Sequence, residues 1–158
     1  MRKMMPQQSF AEELLTILEE TFETHHGVYL DKGTSLLTTL NQISSSEASI
    51  PVGNRCATIA AQVEHVIFFL EVLERSITGQ EAGEQDWDEI WNRVSGLTAA
   101  EWDELRARLR ATYDRLGEML RGLEDWEQDE AIGGSLAIVV HTAYHLGEIR
   151  QALCTVGR

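Results

Sequence analysis

The chain has 158 residues, 43% of them hydrophobic and 25% charged, a globular composition at a length that suits one domain spanning 1–158 with a sizeable core. Its 26 acidic residues against 13 basic ones give a net charge of −13 at pH 7, a surface that repels phosphate backbones and disfavours nucleic acid. Cys56 and Cys154 are too few for a disulfide framework, no apolar run approaches a membrane span, and MRKMMPQQSF lacks a signal-peptide core, so the expectation is a cytoplasmic protein with reduced thiols and no membrane partner.

Only two prolines occur, Pro6 and Pro51, and strand-like alternation is nowhere sustained, so the expected class is all-α. A first helix opens on the capping-box pattern Ser9-Phe10-Ala11-Glu12 and carries Phe10, Leu14, Leu15, Leu18 and Phe22 on one stripe. His25-His26-Gly27 interrupts it, and the two histidines read as a polar helix end. Apolar residues resume over 34–40, as a continuation or a short separate helix. Residues 43–54, ISSSEASIPVGN, read as a loop.

A second long helix is expected from about Arg55 to Ile77, with Ile59, Val63, Val66, Ile67, Leu70 and Leu73 on its core face. Residues 79–97 form a long acidic connection with a short helical turn around Trp87 and Trp91, read as packing residues over a bundle end or a subunit interface. Thr98-Ala99-Ala100-Glu101 is another capping box and starts a third helix that runs to about Gly122. The acidic run from Glu124 to Glu130 reads as a solvated linker. Gly133-Gly134-Ser135 leads into a fourth helix that ends near Thr155. Four such helices make a bundle. The connection between helices 2 and 3 is longer than antiparallel neighbours need, which favours a crossover and an up-down-down-up order.

Three histidines carry the chemical signal. His141 and His145 are four apart on the fourth helix, so both imidazoles project from one face. His65 stands mid-way along the second helix, and helix midpoints meet whether the pair runs parallel or antiparallel. Three neutral imidazoles leave further coordination positions open, as in a catalytic rather than a sealed metal site. Such a set suits Zn²⁺, Ni²⁺, Fe²⁺ or Co²⁺. Glu148 falls near His141 in angle and one turn beyond His145, which makes it the candidate catalytic residue: a fourth ligand, a base, or a hydrogen-bond partner of a ligating imidazole. Gln62 is the one long polar side chain sharing His65's side of its helix. Cys56 and Cys154 point about half a turn away from the histidines and are not natural ligands. Val66, Phe69, Leu136 and Tyr144 are candidate pocket walls.

The segment HTAYHLGEIRQ at 141–151 resembles the signature of the DinB/YfiT-like superfamily, whose last helix carries H-x3-H followed by a glycine, a Gln or Glu, and an Ile. Here these are His141, His145, Gly147, Glu148 and Ile149. AAQVEHVIFFLEVL around His65 is similar to the family's second helix, and the likeness covers nearly the whole chain. The resemblance implies a DinB-type four-helix bundle, often a homodimer, with a divalent metal ion held by His65, His141 and His145. Glu148 stands where relatives often have Gln, so the resemblance does not imply an obligatory ligand there. Relatives of known activity include thiol-dependent transferases and isomerases. The functional expectation is therefore a metal-dependent enzyme acting on a small molecule, by thiol-dependent S-transfer with a low-molecular-weight thiol or by metal-assisted hydrolysis. The alternative is a non-catalytic dimeric metal-binding bundle with a structural or stress-response role.

Overall fold

The computed structural model describes residues 7–54, 56–81, 83–92, 96–128 and 130–156, and every regular element among them is helical. The order is α1 (Gln7–Phe22), α2 (Leu36–Leu40), α3 (Ser45–Ala48), a 3-10 turn (Val52–Asn54), α4 (Ile59–Ile77), α5 (Trp87–Asn92), α6 (Ala99–Arg121) and α7 (Ala131–Val156). No described helix is long and apolar enough to cross a membrane.

Four boundaries differ from the sequence expectation, each for a local reason. α1 already includes Gln7, so Ser9 lies inside the helix and caps nothing; Gln8 is a good helix former and its amide bonds Glu12 one turn on, at 3.0 Å. The supposed loop 43–54 holds α3, because Ser44 and Glu47 make a reciprocal capping box. α4 starts at Ile59 rather than near Arg55, where the Thr58 hydroxyl accepts the Ala61 N–H at 3.0 Å. α7 begins at Ala131 and runs straight through both glycines. Segment 34–40 resolves as a separate short helix. The Thr98–Glu101 box is present as expected.

The chain reverses after α1 through a carboxylate clip. Glu20 is fully buried, and its two oxygens accept backbone N–H groups of His26, Val28, Tyr29 and Leu30 at 3.2, 2.8, 3.0 and 2.7 Å. Burial alone would raise its pKa, but the four donors outweigh that and hold it down to about 2. His26 closes the turn against Glu19 at 2.8 Å, so the histidine pair does serve as a polar helix end.

Paired contacts fix how the long helices lie together. Phe22 stacks on Tyr113 at 4.4 Å and Phe10 meets Trp126 edge-on at 5.4 Å, so α1 and α6 run in opposite directions. Trp126 is thereby buried within the acidic segment that reads as a solvated linker. Glu64 pairs with Arg108 and Glu74 with Arg115, and these pairs advance the same way along α4 and α6. Between α4 and α7 the order is reversed: Gln62 meets His145, His65 meets His141, and Ile77 meets Gly134. The Trp102 indole N–H donates to the Ile43 carbonyl at 2.8 Å and ties α6 to the segment before α3. Leu14, Leu18 and Phe22 of α1 meet Ile59, Val63, Val66, Ile67 and Leu70 of α4 in one core, with Leu109 and Leu116 of α6 and Ile138 and Ile149 of α7. The expected core stripes of both helices are thus buried, with Phe10, Leu15 and Leu73 at its margin.

Candidate metal centre

His65 stands in a run from Ile59 to Ile67 that is buried on every side, because α4 is covered by α5, α6 and α7 at once. Its ring is therefore largely shielded from water and meets whatever faces it. What faces it is α7, whose 3.6-residue period places His141 and His145 on the side turned to α4. The Nε2 atoms of His65 and His141 are 3.1 Å apart, and one ligand atom from each of the three histidines falls within 4.8 Å of the others. His65 and His145 are buried and His141 half-buried. All three expected ligands are therefore brought together.

Aromatic rings hold these imidazoles in place. His65 is stacked on Trp91, centroids 4.3 Å apart and planes 18° apart, with Trp87 edge-on at 6.1 Å. His141 is stacked on Phe69 at 3.6 Å and 11°. Trp87 and Trp91 thus cover the histidine cluster rather than a bundle end. No local signal in the sequence links Trp91 to His65, since 26 positions and a turn separate them. Of the expected pocket walls, Val66 is buried in the core, Phe69 lies against His141, and Tyr144 meets His145 edge-on at 5.1 Å while remaining 61% exposed. Leu136 faces solvent instead of a pocket, because it stands on the opposite side of α7 from the histidine pair.

The electrostatics keep the rings neutral. Burial pushes His65 down to about 4, the neighbouring His145 adds to this, and Glu148 opposes it. Burial lowers His141 to about 3, helped by His145 and His65. His145 is lowered by burial against the opposing charge of Glu148. Neutral imidazoles with available lone pairs are what metal ligation requires.

A divalent ion fits this donor set. Two nitrogens about 2.05 Å from a tetrahedral zinc ion lie about 3.3 Å from each other, close to the 3.1 Å between His65 and His141, and the three donors lie within 4.8 Å of one another, so an ion would draw the set slightly together. Two oxygens converge on the far nitrogen of His145: Glu148 Oε2 is 3.0 Å and Gln62 Oε1 3.5 Å from Nδ1. A proton on Nδ1 satisfies both and leaves the Nε2 lone pair free. The Nδ1 atoms of His65 and His141 are buried with no hydrogen-bond partner among the described residues.

The family comparison agrees with this geometry. The sequence profile of the DinB superfamily matches residues 33–149, a stretch that contains α4, α6 and all three histidines. The chain belongs to the DinB superfamily. Comparison with curated proteins and with solved structures gives no match. The DinB assignment therefore says what kind of helical protein this is, and the chemistry must be argued from the cluster itself.

Proposed function

We propose that this DinB-superfamily protein is a divalent-metal-dependent enzyme whose ion is held by His65, His141 and His145. The observation that carries this is the convergence of three neutral imidazoles from two helices within 4.8 Å. When bound, the ion supplies Lewis acidity toward a thiolate or a water molecule. Thiol-dependent S-transfer on a small molecule is the first reading and hydrolysis the second. The protein residues have separate tasks. Trp91 and Phe69 exclude water from one side of each ring they stack on. Glu148 and Gln62 hold the Nδ1 proton of His145, so Glu148 acts as a positioning residue and not as a fourth ligand. The paired contacts among α1, α4, α6 and α7 favour a DinB-type four-helix bundle in up-down-down-up order, with the 79–97 segment as its crossover.

Metal titration of the wild type beside His65→Ala and His145→Ala tests this reading. The expected result is one tightly bound divalent ion per chain, loss of that binding in both variants, and unchanged helicity. Collapse of the helical fold in either variant would favour a structural clamp over an open catalytic site. A wild type that binds no divalent ion would remove the enzymatic reading.

A further inference from the structure

We infer that the histidine cluster is reached across an apolar mouth that excludes anions, so that its substrate has an aromatic or aliphatic body and no negative charge. The inference rests on the metal-dependent reading above and names the substrate class of that same site.

Exposure locates the mouth. His65 is 8% and His145 4% exposed, whereas His141 is half-buried, so the surface comes nearest the three imidazoles beside His141. Successive residues of α7 turn by about 100°, which sets Ala137, Val140, Tyr144 and Glu148 within about 100° of His141 around the helix. Val140 and Tyr144 are the solvent-facing members, 65% and 61% exposed. On the other rim Phe69 of α4 is stacked on His141 at 3.6 Å. Trp87 of α5 is the next ring out, 6.1 Å from Phe69 and 39% exposed. Trp87, Val140 and Tyr144 thus stay in water around the one ligand that reaches the surface. A bound molecule with an apolar body covers them and gains their burial, while the polar groups that fix its orientation lie inside.

The charges at this mouth have one sign. Glu148 Oε2 is 3.0 Å from His145 Nδ1, and a hollow of about 510 Å³ against Trp87 is lined by Glu84, Gln85 and Asp86. No Lys or Arg stands on α5, and Arg150, the single one on α7, is half a turn round from His141. Arg108 and Arg115 of α6 are engaged by Glu64 and Glu74 on a different side of α4. A carboxylate or phosphate on the substrate meets like charge here and finds no partner among the described residues, whereas an uncharged or cationic molecule pays no such penalty. The net charge of −13 acts in the same direction at longer range.

Three thiols of similar acidity separate body from charge: phenylmethanethiol, 4-(mercaptomethyl)benzoate and 2-mercaptoethanol. Each is titrated into the cobalt-loaded full chain, and its binding is read from the visible and near-ultraviolet absorption of the cobalt. Phenylmethanethiol should bind tighter than 2-mercaptoethanol by about tenfold or more, since only it has a ring to bury. It should also bind tighter than 4-(mercaptomethyl)benzoate by about tenfold. Trp87→Ala should weaken phenylmethanethiol by about tenfold and leave 2-mercaptoethanol unchanged. Val140→Lys, at an exposed position, should shift the preference toward the benzoate by about tenfold. Cobalt uptake and circular dichroism should be the same in both variants as in the wild type. Cobalt uptake with equal affinity for the three thiols, or a ranking unmoved by both substitutions, would overturn this inference and leave the metal centre standing. A wild type that takes up no cobalt would remove both.

Discussion

Two adjacent glycines in α7 should respond oppositely to the same substitution. An alanine at Gly133 places its Cβ in open space, with no atom within 4 Å. Gly133→Ala therefore gains only the helix propensity difference, about 0.8–1 kcal/mol. At Gly134 the same Cβ would stand 2.8 Å from Ile77 Cγ1 and 3.1 Å from its Cδ1, and Ile77 is itself buried at the end of α4. Overpacking of that kind costs about 1–3 kcal/mol, which cancels or exceeds the propensity gain. Gly134→Ala should be less stable than Gly133→Ala by about 1–3 kcal/mol, which for a protein of this size separates the two melting temperatures by several degrees. Equilibrium urea unfolding followed by circular dichroism measures the difference. Ile77→Ala removes the clashing atoms, so the double variant Ile77→Ala/Gly134→Ala should show a favourable coupling of similar size. Equal stabilisation by both alanines would refute the close approach of Ile77 to Gly134.

Three further outcomes follow from the same coordinates. The metal-free protein should lose stability as pH falls from about 6.5 toward 4, because the unfolded histidines take up protons there while His65 and His141 in the folded state stay neutral until about 4 and about 3. Thermal melts across that range check this, and the loss should be smaller in His65→Gln and His141→Gln variants. Glu148→Gln keeps an oxygen facing His145 Nδ1 and should hold zinc within a few-fold of wild type, whereas Glu148→Ala should weaken it by about 10–100-fold; equal loss in both variants would make Glu148 a direct ligand. Trp102→Phe leaves the Ile43 carbonyl without its indole donor and should cost about 1–3 kcal/mol in urea unfolding.

Much of the site can be read from one dimension because it rests on helical periodicity. His141 and His145 share a face by spacing alone, and a centrally placed His65 needs only a neighbouring helix to meet them. Gln62 is legible for the same reason, being one turn before His65. Trp91 is not, since its stacking on His65 depends on how the short helix α5 lies back over α4. The start of α7 is also hidden: two glycines in a row signal a break, yet Gly134 is in the helix because Ile77 leaves no room for a side chain. At α3 the Ser44–Glu47 capping box sits in a run of serines that composition marks as loop, and capping prevails over composition there.

X-ray absorption at the metal edge of zinc-loaded protein bears most directly on the central claim. Three imidazole nitrogens at about 2.0 Å, falling to two in His145→Ala with no change in helicity, are expected if His65, His141 and His145 share one ion. A first shell of oxygen alone, or one unaltered by the loss of His145, would contradict it.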